Sequence, residues 1–559
     1  MKKGLRLAAA CAVLTMVGSL AGGPASAGPP DRGISGHGAG PGESGGHGGP
    51  GGHGGHGKPP TLPGGYKHLV VIYQENHSFD NLYGSWGSVN GQHVEGLADA
   101  SATSATQVAQ DGTPYSCLLQ NDVNLTSPPL PGSCSDSAHA VTSAFANRPF
   151  SIDDYIAPTD TTCPAPGVFA PHGVLNGTGL PGGCTRDLVH RFYQEQYQIN
   201  GGKQNRYVTG SDAVGLSVGT YDTKTLPIYE YLHSKGAPKY VLADHFFQAA
   251  FGGSFLNHQW LIAARTPLDT SHGALGAKNS ALDSAGMVNK YALYNPTGAV
   301  VDGQLTQKCA DPAVQDSIKA CGDFAVNTVQ PSSAPFGSGA KIPLIDDAVY
   351  PNIGDRMSAA GISWNWYSGG WDDAEAGHPG PLFQFHHQAF NYFAAYAPGT
   401  TGRTHLQDET KFIAAARRGK LPTVSFVKPY GAENEHPGYA SASEGSDHLV
   451  DLIKAVTEGD QAGNTLVVVT YDEFGGQWDH VSPPGTNGQP GVHDAWGSGT
   501  RIPALVIGRS LKHSGVDHTS YDTTSIVATI ERSFGLAPLS PRDAKVHDLS
   551  EAVAVGGRK

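Results

Sequence analysis

Two uninterrupted apolar runs, HLVVIYQ at 68–74 and TLVVVTY at 465–471, constrain this chain most, and a pair of oxygen-bearing side chains follows each. Runs so rich in Val, Ile and Leu, with no polar alternation, predict strands buried on both faces, as in a parallel sheet covered by helices. In open α/β sheets, ligands gather where the carboxyl ends of strands meet loops. Glu75 and Asn76 follow the first run, and Asp472 and Glu473 the second, so the four are expected to form one metal site. Hard oxygen ligands at two strand ends suit a cation that handles phosphate. Taken singly, either motif also reads as a cap of a following helix or turn.

Further strands are expected at 240–246, 362–367, 423–427 and 502–507, and helices at 225–233, 410–417, 448–457 and 523–534. Strands alternating with helices along a chain predict a mostly parallel central sheet flanked by helices, an α/β fold. One large domain is expected over 65–559. Within it, residues from about 85 to 225 are rich in Gly, Pro, Ser and Thr and predict a loop-rich insertion tied by disulfides.

The beginning of the chain reads differently. Lys2, Lys3 and Arg6 precede an apolar stretch, and Pro24 to Ala27 offers a small-residue cleavage site, so residues 1–27 are expected to be a secretory signal. That stretch is too short to span a bilayer, no later segment is long enough, and Cys11 lies inside the signal, so neither a membrane span nor a lipid anchor is expected. Residues 28–64, dominated by Gly, Pro and His, predict a flexible linker, in which His37, His47, His53 and His56 could bind a transition metal weakly.

Export without its three basic residues would move the formal net charge from −13 to −16, which argues against nucleic acid or an anionic membrane as a partner. Six cysteines would remain in an exported chain, without zinc-site spacing. Six can pair in fifteen ways. Close spacing favours Cys117 with Cys134, Cys163 with Cys184 and Cys309 with Cys321.

Three longer motifs, ENHSFDNLYGSW at 75–86, TYDEFGGQWDHVSPP at 470–484 and GVDHTSYDTTSIVATIERSFGL at 515–536, resemble the bacterial phosphoesterase family that unites phospholipases C with a group of acid phosphatases. The resemblance runs from about 66 to 548 and implies an alkaline phosphatase-like fold, a central sheet flanked by helices. FHHQAFNYF at 385–393 resembles the acid phosphatase branch. The resemblance implies a nucleophile at Ser254 in AAFGGSFLNHQW, where the phospholipases have a threonine. A hydroxyl after Gly252 and Gly253 sits on backbone that can turn sharply and let phosphate approach. The resemblance also implies active-site histidines at His190, His386, His387 and His436. Phosphoryl transfer needs donors around the equatorial oxygens and a proton for the leaving group, both within reach of imidazole chemistry. Asp479 and His480 match a further part of the motif and are expected to orient Asp472 and Glu473.

Together these readings predict a secreted phosphoric ester hydrolase acting through a phosphoserine at Ser254. A divalent cation would be held by Glu75, Asn76, Ser254, Asp472 and Glu473. Calcium, magnesium or manganese suit this donor set, and iron and zinc also accept such ligands. The substrate is expected to be a small phosphomonoester, with activity favoured on the mildly acidic side where His386 and His387 would be charged, and with no C-terminal domain of the kind many phospholipases carry. Two alternatives stay open: a phospholipase C acting on phosphatidylcholine-type phosphodiesters, and a non-catalytic secreted metal- or ligand-binding protein. Against the latter, every expected centre residue is present. Oligomeric state has no signal in the sequence.

Overall fold

The two apolar runs form strands, and the strands are neighbours. The computed structural model describes residues 61–119, 132–153, 187–269, 283, 287, 290–296, 303–307, 320–438 and 440–557. All belong to one unit, Lys58–Lys559. The expected signal, the His-rich tract through residue 60, and Cys163, Cys184 and Cys309 lie outside the described residues.

Eight strands follow one another along the chain: β1 (His68–Gln74), β2 (Lys239–Ala243), β3 (Trp364–Ser368), β4 (Leu406–Asp408), β5 (Val424–Lys428), β6 (Thr465–Tyr471), β7 (Ala504–Gly508) and β8 (Gly515–Asp517). Across the sheet their order is β4-β3-β5-β1-β6-β7-β2-β8. β1 lies parallel between β5 and β6, and only β7 runs antiparallel to its neighbours. The sheet is therefore mostly parallel, as the apolar runs predicted. Every residue of β5 and β6 is buried, as is all of β1 after His68. Burial of consecutive residues means that both faces are covered. Each Val, Leu or Ile so buried contributes about 1.5–3 kcal/mol.

Helices supply the cover. The main ones are α1 (Phe192–Ile199), α2 (Pro227–His233), α3 (Ser254–Ala263), α4 (Glu409–Arg417), α5 (Ala442–Thr457) and α6 (Thr524–Phe534). α5 packs on α2, α4 and β6, whereas α3 packs on α6 and on the short 3-10 turns Phe385–His387 and Ala389–Tyr392. α5 starts six residues before the expected His448. Ser441 is its cap: the Oγ accepts from the Glu444 backbone N–H and donates to the Glu444 carboxylate. α3 was not expected, and every one of its residues is buried. The strand expected at 240–246 ends at Ala243, with a separate pair at Phe246–Phe247.

The expected insertion carries short strands of two or three residues, and α1 is its longest described helix. Cys117 is bonded to Cys134, with 5.9 Å between their Cα atoms. Cys321 is also disulfide-bonded. Among the described residues no helix is long and apolar enough to cross a membrane.

Candidate active site

Register brings the two acidic motifs together. Gln74 of β1 pairs with Tyr471 of β6, so Glu75 and Asp472 leave adjacent parallel strands at the same level. The Asp472 N–H donates to Gln74 O at 3.1 Å, extending that pairing. Gly475, at φ +64°, lets the following loop fold back against β1: a Cβ there would stand 2.3 Å from Asn76 O. Glu75, Asn76, Asp472 and Glu473 are each fully buried.

Ser254 joins them from the first residue of α3. Its Oγ lies 3.1 Å from Glu75 Oε2 and 3.5 Å from Asn76 Oδ1. The turn before it is held by Glu195 of α1, whose Oε2 accepts from the Gly252 N–H at 2.5 Å and from Gln248 Nε2 at 2.8 Å. Glu195 Oε1 accepts from both the N–H and the hydroxyl of Thr500. Gly252 has φ +89°, and a Cβ there would stand 2.6 Å from the Phe192 backbone N. A side chain at 252 would thus collide with the start of α1, so the sharp turn requires glycine.

The histidines fall into distinct places. His387 Nε2 is 2.9 Å from Glu75 Oε1. His436 Nε2 accepts from Asn76 Nδ2 at 2.9 Å while its Nδ1–H donates to Pro437 O, which leaves Asn76 Oδ1 facing Ser254. His190 Nδ1 donates to Leu188 O at 2.6 Å, and its Nε2 lies 3.6 Å from Glu473 Oε1. His386 is half-buried and meets the group through the His387 ring, 4.6 Å away.

Two further members had not been singled out. Lys428, the last residue of β5, places Nζ 2.5 Å from Glu75 Oε1, both side chains fully buried. His258, one helical turn after Ser254, donates Nδ1–H to Ser254 O at 2.7 Å and stacks on His387. The i,i+4 spacing of Ser254 and His258 was the available signal for the histidine.

Electrostatics set these groups apart. Burial pushes the Glu75 carboxyl up, but His387 and Lys428 overcome it and hold the group well below its ordinary range. Burial, followed by the Glu75 charge, pushes Asp472 well up, and burial with Asp472 does the same to Glu473. Burial carries His387 down to about 4 and also lowers His436. His387 is therefore neutral in the mildly acidic range, and burial lowers His386 as well, which corrects the expectation that this pair is charged there.

Asp472 Oδ2 and Glu473 Oε1 are buried without a hydrogen-bond partner. Crowded carboxylates with unpartnered oxygens are what a divalent cation relieves, so the donor set fits such an ion. Glu75, His258 and His387 also form a metal-competent cluster.

Asp479 and His480 do something other than orient Asp472. Arg501, fully buried, donates to Asp479 at 3.0 Å and to Asp80 at 3.0 Å, and His480 Nδ1 is 2.6 Å from Asp80. Asp479 also accepts from the Asp80 N–H. The group is a buried ion network that ties the loop after β6 to the helical turn Phe79–Leu82.

A cavity of about 490 Å³ opens beside the centre, lined among others by His190, Arg191, Asp212, Gly253, Phe255 and Asn327. Ser254 lies between two of its lining residues.

A family model described as Phosphoesterase family matches residues 168–537. The chain is similar to phospholipase C B of Mycobacterium tuberculosis, with 23% identity over 516 residues, covering 87% of this chain and 77% of that protein. It is also similar to the non-hemolytic phospholipase C of Burkholderia pseudomallei, 31% identical over 213 residues, which are 33% of this chain and 30% of that one. A solved alkaline phosphatase superfamily protein from Vibrio parahaemolyticus aligns at 12% identity with a TM-score of 0.23, covering 36% of this chain and 50% of that chain. The protein is an enzyme, a phosphoric ester hydrolase. By the match over residues 168–537, the chain belongs to the Phosphoesterase family.

Proposed function

We propose that this hydrolase cleaves phosphate esters by covalent catalysis at Ser254. The observation that carries the reading is the approach of Ser254 Oγ to Glu75 and Asn76 within a fully buried acidic centre. Ser254 Oγ attacks phosphorus in line, an O–P bond forms, and the ester bond to the leaving oxygen breaks. The hydroxyl proton leaves toward Asp472, the carboxylate in reach that burial and Glu75 make more basic. His190, which borders the cavity, protonates the departing alkoxide. Water then cleaves the seryl phosphate and restores the hydroxyl. His386 and His190 would bind the phosphoryl oxygens, while His387 and His436 orient the Glu75 carboxylate and the Asn76 amide beside Ser254. Glu75, Asn76, Ser254, Asp472 and Glu473 would hold a divalent cation, which when bound supplies Lewis-acid polarisation and stabilises the serine alkoxide.

Phosphodiester hydrolysis of the phospholipase C kind is the leading substrate reading, because relatives that align with 87% of this chain carry that name. Phosphomonoester hydrolysis is the second. It is supported by His190, which borders the cavity beside Ser254 and, in the protonated form that serves the leaving group, can also meet the additional charged oxygen of a monoester dianion. A kcat/KM panel with phosphatidylcholine, a simple phosphodiester and its matched monoester separates them: the first reading expects the diesters to lead. A lead for the monoester reverses the order, and absence of turnover on all three would refute both. Export, with cleavage after Ala27, is part of the proposal. N-terminal sequencing of protein from culture medium should begin at Gly28, and protein confined to cells would refute it.

A further inference from the structure

A second cluster shares no residue with the centre around Ser254. Glu409 opens α4, Glu433 lies in the loop after β5, and His448 lies on α5. Their ligand atoms all fall within 4.8 Å of one another. His448 Nε2 is 2.6 Å from Glu409 Oε1 and 3.8 Å from Glu433 Oε2.

An independent observation points to a ligand. Glu409 Oε2 is buried and has no hydrogen-bond partner, on a side chain only 6% exposed. Leaving a buried polar atom unmatched costs about 1–3 kcal/mol, and more when it is charged. Glu409 and Glu433 also border a cavity of about 320 Å³, lined by Gly369, Asp373, Asp408 and Tyr430 as well, which gives an ion access from solvent.

We propose that Glu409, Glu433 and His448 hold a divalent cation of the zinc class. Two carboxylates with one imidazole match zinc's mixed oxygen and nitrogen preference, whereas calcium and magnesium favour oxygen alone. Three protein ligands leave room for water. The ion bridges α4, α5 and the loop after β5. That loop continues into Asn434, whose carbonyl accepts from the Glu75 N–H at 3.0 Å, and His436, which accepts from Asn76. The site thus clamps the segment that supports the active centre without entering it.

Equilibrium dialysis of the purified full chain against zinc tests this, comparing the parent with Glu433→Gln and His448→Gln. The His-rich N-terminal tract contributes equally to all, so the difference is what is read. Each variant should lose about one equivalent, its affinity at this site falling on the order of 10- to 100-fold or more, as even the loss of an outer-shell partner does. Turnover of phosphate ester before zinc is added should be unchanged. Asp472→Asn should keep this equivalent. Zinc should also raise the Tm of the parent more than that of Glu433→Gln. Should His448→Gln fail to fold, Glu433→Gln decides alone, its side chain being 48% exposed. Natively folded Glu433→Gln with the parent's zinc stoichiometry and Tm response would overturn the site.

Discussion

Replacing Lys428 with Met probes the charge balance of the centre directly. The Lys428 ammonium lies 2.5 Å from Glu75 Oε1 with both side chains fully buried, and it also donates to Gln74 O. Met nearly preserves the volume and removes the charge, so the variant leaves Glu75 buried without its cation. Breaking a buried pair from one side costs about 3–5 kcal/mol. Unfolding entropy of ~2.1 cal/mol/K per residue, over a folded unit of about 500 residues, is ~1 kcal/mol/K, so Tm should fall by roughly 3–5 °C. This applies in chelator, where nothing else offsets the carboxylates. With saturating manganese or magnesium the deficit should shrink, because a bound cation takes over the neutralisation and the more negative centre binds it more tightly. Calorimetry of parent and variant under both conditions reads the effect. A fall of less than about 1 °C in chelator, or one indifferent to metal, would refute the reasoning.

Ser254→Ala should keep its circular dichroism and lose phosphate-ester turnover by on the order of 10⁴-fold or more, and turnover within tenfold of the parent would sink the nucleophile assignment. Asp472→Asn should lower bound divalent cation and activity together. Full occupancy by elemental analysis in an inactive variant would remove Asp472 from the ligands. A pH test addresses the network at Arg501. Burial lowers the His480 imidazole, but Asp80 prevails and raises it to about 9. A folded value above the ordinary 6.5 means stabilisation fully present below about pH 6.5 and lost as pH rises through about 9, worth roughly 3 kcal/mol. Asp80→Asn should therefore flatten the decline in stability between about pH 7 and 9.5, and an unchanged slope would contradict the pairing.

The central sheet was legible because HLVVIYQ and TLVVVTY carry their burial in composition alone. The convergence of Glu75, Asn76, Asp472 and Glu473 followed from strand ends on one sheet edge, which the register of Gln74 with Tyr471 realises. Other elements lacked such a signal. α3 is buried all round, so SFLNHQWLIA shows no polar face and no helical period to find. β4 and β8 are three residues each and exist because neighbours pair with them. The start of α5 was written in Ser441 and Glu444, a capping pair overlooked for the apolar stretch beyond it. Lys428 was hidden because a lone lysine at a strand end ordinarily reads as solvated. Its burial depends on Glu75, more than three hundred residues away. Asp479 and His480 misled for the reverse reason: their sequence neighbours are Asp472 and Glu473, but Arg501 and Asp80 lie closer in space.

The measurement that tests the central claim most directly is a rapid acid quench of the enzyme during turnover of a phosphate ester, with peptide mass spectrometry of the trapped protein. Covalent catalysis predicts that the peptide carrying Ser254 gains the substrate's phosphoryl group, and that Ser254→Ala gains none. A trapped adduct on another residue, or burst-free turnover with Ser254 unmodified while its hydroxyl proves dispensable, would contradict the account.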